Sequence, residues 1–174
     1  MLVKFVDIIG IAEPSQFPVI TPANPHTQYV AQETAIIPAA KPEAEQINTV
    51  LVEATVTSAR VIITPVGLKV VIDGVINQKI IYTANVPDQA VHSAHFVFPF
   101  CTFIEMPLVI PPGGSVQTVL QTAGLTLDNI LVGPAKVLIE DVTVQLLDPR
   151  TIDKCTVLFL WVTVNTALVP LLKP

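Results

Sequence analysis

Residues 48–64, NTVLVEATVTSARVIIT, decide the fold class. Val50, Val52, Ala54 and Val56 fall at every second position, with Thr49, Glu53, Thr55 and Thr57 between them, and a period of two is the mark of a half-buried strand. Around Ser58-Ala59-Arg60 the apolar phase slips before Val61 and Ile63, as it does when one residue bulges out of a ladder. The next run, 68–86, LKVVIDGVINQKIIYTANV, is again rich in β-branched residues. Its Asp73-Gly74 pair leaves two readings open: a hairpin turn, or a glycine bulge within one longer strand. A third run, 91–107, VHSAHFVFPFCTFIEMP, puts Phe96, Phe98 and Phe100 on one face and Val97, Pro99 and Cys101 on the other. Pro99 has no N–H to give a ladder, so this strand is broken there, bulged, or at a sheet edge.

Working outward, Pro111-Pro112-Gly113-Gly114 is a loop. Residues 115–135 alternate only in part and are where a short helix fits. Lys136–Leu147 reads as a half-exposed strand with Val142, Val144 and Leu146 inward. Asp148-Pro149-Arg150-Thr151 then turns the chain into Cys155–Val164, closing a C-terminal hairpin. With about six to eight such runs and no three-turn amphipathic helix, the expected fold class is all-β, an antiparallel β-sandwich.

The N-terminal part reads differently. Of 16 prolines, Pro14, Pro18, Pro22, Pro25, Pro38 and Pro42 precede residue 45, and each fixes φ and removes a backbone donor. Residues 1–45 are therefore expected to be a Pro-rich N-terminal arm and 46–170 the sandwich domain. Short apolar pieces in the arm, carrying Val3, Phe5, Ile8, Ile9, Val19, Ile20, Tyr29, Ile36 and Ile37, are candidate assembly contacts, able to donate short strands to a sheet edge elsewhere. Deleting 1–45 is expected to leave a folded monomer.

Composition narrows the function. At 174 residues a single domain can bury roughly 70% of its unfolded surface without staples. Charged residues make up 13% against 51% hydrophobic, so much of the exterior is uncharged and suited to self-association. Net charge is −5 and Lys and Arg do not cluster, which excludes the electrostatic footprint of a nucleic-acid binder. Residues 155–172 carry no formal charge, but Asn165, Pro170 and the Val/Thr content fit a buried strand better than a membrane span. MLVKFVDIIGIAEP lacks the plan of a signal peptide, because Asp7 interrupts its apolar run.

Chemistry is sparse. His92 and His95 sit three apart on a strand and point to opposite faces, so they cannot share a metal, and His26 is far from both. Ser93 beside His92 diverges from it in the same way, and no nucleophile elbow or phosphate loop is present. Glu140 and Asp141 also point apart. The expectation is no catalytic, cofactor-binding or metal residue, and no enzyme. A Phe stripe at strand spacing, Phe96, Phe98 and Phe100 with Phe103 beyond it, reads as core. Cys101 and Cys155 are too few for a disulfide framework; they are either buried thiols or cross-linking residues within or between subunits.

KVVIDGVINQKIIYTA followed by VHSAHFVFPFCTFIEMP resembles the SPOCS domain of spore-coat morphogenetic proteins in endospore-forming bacteria. The elements that carry the resemblance are Gly74, Tyr82, Val91-His92-Ser93, Pro99-Phe100, Phe103-Ile104 and Pro107. It spans roughly 46–165, with its specific part at 68–107. No peptidoglycan-binding LysM segment accompanies it, and only one such unit is present. The resemblance implies an all-β module working through protein–protein contacts, with no catalytic residues to carry over. The expected function is a structural protein of the spore surface, in coat, exosporium or appendage, that self-assembles into fibres or sheets. The alternative is a non-polymerising adaptor that binds a spore-coat morphogenetic protein. Its expected partners are itself or other coat proteins, without nucleic acid, membrane span or small-molecule substrate. It is expected to be made in the mother-cell cytoplasm and deposited on the spore surface.

Overall fold

The computed structural model describes residues 6–174. Seven strands form two sheets: β1 (Asp7–Ile9), β2 (His26–Ile36), β3 (Ala44–Thr64), β4 (Gly67–Ala84), β5 (Val91–Pro107), β6 (Lys136–Leu146) and β7 (Thr151–Trp161), with one helix, α1 (Val116–Thr122), between β5 and β6. The first sheet runs β1-β3-β4-β5 and the second β2-β7-β6. Every pair is antiparallel except β1 on β3. β3 faces β6 and β2 faces β5, so β7 lies across from β4, the inner strand of the larger sheet. The sandwich expected from periodicity is the one observed.

Alternation explains the core. On β4 the even positions Leu68, Val70, Ile72, Ile76, Ile80 and Tyr82 are buried, and on β7 so are Ile152, Leu158 and Leu160. Burying each such aliphatic side chain contributes about 1.5–3 kcal/mol, so the facing strands dominate the stability. The phase slip on β3 is a register shift between Val56 and Ser58, which returns Ala59 and Val61 to the core side.

Asp73-Gly74 is neither turn nor bulge. β4 runs through it unbroken, and the β3–β4 hairpin instead closes at Pro65-Val66, where Thr64 pairs with Gly67. Gly74 has a packing duty: a Cβ there would collide with the Phe100 ring and the Thr55 carbonyl oxygen. The Phe100 ring fills that notch and packs against Tyr29 of β2 at 6.1 Å between centroids. Pro99 lies in β5, an edge strand, where a missing donor is tolerated.

The remaining joints follow their local chemistry. Ser115 caps α1 by accepting from the Thr118 amide at 3.2 Å. Asp148 accepts from the amides of Arg150 and Thr151, both at 2.8 Å, and so shapes the β6–β7 turn. The uncharged run 155–172 divides between β7 and an irregular C-terminus, and among the described residues no helix is long and apolar enough to cross a membrane.

The segment before residue 45 contributes to both sheets. β1 adds to β3 over Thr49–Leu51. Gly10 then passes so close to β3 that a Cβ would overlap the Val52 carbonyl oxygen, and its φ of 123° suits glycine alone. The Ala12 amide donates to the Ile139 carbonyl of β6 at 2.8 Å, carrying the chain to the other sheet. There Phe17 packs edge-on against Phe159 at 5.6 Å, and His26 stacks on the same ring at 5.4 Å. This proline-rich strap explains why Phe159 and Trp161, which alternation points outward, are both only 8% exposed. β2 then pairs with β7 over its full length, from His26↔Trp161 to Ile36↔Thr151. Deleting 1–45 would therefore uncover one whole side of β7, which departs from the expectation that the remainder folds by itself.

Gly74→Ala should lower stability by about 1–3 kcal/mol, the usual cost of overpacking, read as a lower urea midpoint. Phe100→Leu in that background should restore only part of the loss, because the Thr55 carbonyl cannot move aside as a side chain can.

Candidate interaction surfaces

Edges are the first surfaces to consider, because an edge strand carries unpaired N–H and C=O groups that another strand can meet. β5 bounds one sheet, and β2 and β6 bound the other. Beyond Leu51, β3 has no strand partner on its outer side among the described residues. Register shifts twist these margins, among them the one between Val56 and Ser58 on β3 and the one between Ile139 and Asp141 on β6.

The candidate assembly residues divide by environment. Val3 and Phe5 lie outside the described residues. Ile37 is 1% exposed; Ile8 and Tyr29 are half-buried against the core. Those three side chains are engaged within this chain. Ile9, Val19, Ile20 and Ile36 are exposed, Val19 the most at 83%. Ile9 borders a groove of about 340 Å³ shared with Leu51 and Val97. Ile20 lines a cleft of about 630 Å³ with Pro25, Met106 and Leu172. Ile36 stands at the far end of β2, so these four do not form one patch.

Cys101 is exposed and Cys155 half-buried, and both are free thiols. Cys101 lies on the outward register of β5, opposite Asp73, and Cys155 on that of β7, opposite Thr143 and Gln32. The two face away from each other on opposite sheets, which leaves contact between subunits as their only route to a shared disulfide. The Cys101 thiol hydrogen-bonds to the Asp73 carboxylate, and this interaction, with some desolvation, pushes its pKa above the ordinary 9.0. Asp73 is held below its ordinary 3.8 by the Cys101 thiol, the Ser58 hydroxyl and the Arg60 guanidinium, the last two at 2.9 Å each. The thiolate, which is the reactive form, is thereby disfavoured at Cys101 at neutral pH.

His92 stacks on Tyr82 at 6.0 Å, while His95 is exposed on the other face. Tyr82 donates to the Pro42 carbonyl at 2.9 Å, and burial raises its phenol pKa. Phe96, Phe98 and Phe100 point inward, and Phe103 is 46% exposed with the Lys69 ammonium 4.3 Å from its ring centre. No group of three His, Cys, Asp or Glu gathers as a metal site among the described residues.

One cluster was not anticipated from the sequence. Lys154, on the inward register of β7, is 2% exposed and Gln78, on the inward register of β4, also 2%. Glu33 of β2 joins them: its Oε2 lies 3.0 Å from Lys154 Nζ and accepts from Gln78 Nε2 at 2.7 Å. Thr156 Oγ1 completes the group against Nζ. Strict alternation would have revealed it, because Lys154 shares parity with Ile152 and Leu158, and Gln78 with Ile76 and Ile80.

Residues 43–119 match the family described as SipL, SPOCS domain, and the stretch that carries the resemblance in the sequence lies inside the match. The matched residues comprise all of β3, β4 and β5, and the first turn of α1. No curated protein and no solved structure gives a significant match to the chain.

Alkylation of Cys101 by iodoacetamide should rise with pH about a midpoint above 9.0, and Asp73→Asn should move that midpoint down. An unchanged profile in the variant would show that Asp73 does not govern the thiol.

Proposed function

We propose, from the premise that residues 43–119 are a SPOCS domain and so tie the chain to sporulation, that this protein is a non-enzymatic structural subunit of the spore surface. It is made in the mother cell, deposited on the coat, exosporium or an appendage, and assembles into fibres or sheets by strand contacts between copies. The observation that carries this reading is β1: a three-residue strand laid in parallel on the margin of β3. It is short, with Ile8 half-buried against the core, and leads through Gly10 into the proline-rich strap that follows.

Such a slot, on the edge that stays unpaired beyond Leu51 among the described residues, would take residues 7–9 of a neighbour in place of its own. An exchange repeated head-to-tail does not close, and it yields an open polymer. The 13% charged content supports dense packing of such copies. Cross-linking of adjoining subunits through exposed Cys101, once the mother cell lyses and the surroundings become oxidising, belongs to the same proposal.

The adaptor reading has one observation in its favour, the cleft of about 630 Å³ beside Met106 and Leu172, which would receive an apolar segment of a coat morphogenetic partner.

Negative-stain electron microscopy separates the two. The full chain should form ordered fibres or sheets, and a chain starting at residue 12, which keeps β2 in place, should give dispersed particles. Polymers that persist without residues 1–11 would remove β1 as the link. Uniform small particles from both chains would favour the adaptor.

A further inference from the structure

Three side chains of different chemistry meet in the interior of the sandwich. In register, Lys154 on β7 lies between Glu33 on β2 and Val144 on β6; Gln78 on β4 lies between Val52 on β3 and Phe96 on β5. A primary amine and a carboxamide thus face each other across the two sheets, and a single carboxylate oxygen, Glu33 Oε2, holds both nitrogens, at 3.0 Å and 2.7 Å. The side chain of Glu33 is 7% exposed and that of Lys154 1%.

As a stabilising device this arrangement is poor. Desolvating two ions consumes most of what their attraction returns, and apolar residues of similar size serve as well or better. Gln78 adds to the cost, because its Oε1 is buried with no partner among the described residues. An unpaired buried carbonyl oxygen in a native core calls for an explanation. Desolvation, partly offset by Glu33, lowers the Lys154 pKa, which favours the neutral, nucleophilic amine.

We propose that Glu33, Gln78 and Lys154 form a self-catalysed cross-linking site, in which the Lys154 amine displaces ammonia from the Gln78 carboxamide and joins β4 to β7 through an isopeptide bond. Glu33 takes a proton from the Lys154 ammonium and frees the lone pair on Nζ. That lone pair forms the Nζ–Cδ bond to Gln78 as the Cδ–Nε2 bond breaks. The two protons that Nζ gives up pass by way of the Glu33 carboxylate to the departing nitrogen, which leaves as ammonium, and Glu33 ends as the carboxylate it was. No oxidant, reductant or second substrate is required. Rotation about the last side-chain torsion of Gln78 leaves Cδ in place and turns a face of the carboxamide toward Nζ, and holding both reactants on one carboxylate in a dry site supplies proximity and orientation.

The product ties the inner strand of one sheet to the inner strand of the other, a link that reduction cannot open. Thiol cross-links between copies would act outside the sandwich, and this bond would act inside it.

Intact-mass spectrometry of the purified full chain tests the site without any variant. The expected mass is that of the sequence less one ammonia, and digestion should release a branched peptide joining the Gln78 and Lys154 segments, assigned by fragmentation. Glu33→Gln, close in shape, should retain the full mass, as should Lys154→Arg. A wild-type protein that keeps its full sequence mass after prolonged incubation overturns the proposal. So does an ammonia loss that fragmentation assigns to an asparagine, or a Glu33→Gln protein that cross-links as completely as the wild type.

Discussion

The pairing of β2 with β7 is the contact on which the rest of the molecule depends. The family match covers β3, β4, β5 and the first turn of α1, which together make most of one sheet and none of the other. By themselves those strands would present Val50, Val52, Val70, Ile72, Ile76, Ile80 and Ile104, all of them buried in the whole chain, to water. At about 1.5–3 kcal/mol for each side chain, no solvated sheet of this kind is stable. The covering sheet is drawn from both flanks: β2 from before the match, β6 and β7 from after it. β7 stands in its centre and needs a partner on each side. Supplying one from residues 26–36 makes the N-terminal segment a part of the fold, and the strap over Phe159 and Trp161 fastens the crossing between the sheets.

The same economy shows at the margins. Open sheets invite further strands, and this molecule qualifies the invitation: Pro99 removes a donor from the edge strand β5, bulges twist β3 and β6, and β1 occupies only a short part of the β3 edge. With few charges to guard the surface, backbone geometry takes over that duty. What remains open among the described residues is a limited set of strand positions.

Much of this was legible in the residues. The period of two in 48–64 and the phase slip near Ser58 translate directly into β3 and its bulge, and of the three readings open for Pro99, a break, a bulge or an edge, the edge is the one observed. The short helix falls within 115–135, and the opposed directions of His92 and His95 follow from parity alone. Three things were hidden. Gly74 could be read as turn or bulge because its reason is tertiary: it makes room for the Phe100 ring, a contact between strands that local pattern does not encode. The proline-rich segment read as an arm because prolines interrupt regular structure, yet 26–36 is a proline-free run of eleven residues that alternates well enough to form β2. The buried trio stayed out of view for the opposite reason. Lys154, Glu33 and Gln78 are polar, and polar residues on a strand are taken to face water, although parity placed Lys154 and Gln78 inside.

Native-state hydrogen exchange on the intact protein tests the central claim most directly. If β2 is an integral strand, the inter-strand amides of β2 and β7 exchange together and as slowly as those of β4, through global unfolding. If residues 26–36 exchange rapidly while β4 and β7 stay protected, the N-terminal segment is an appended arm, and the sandwich closes without the β2–β7 pairing.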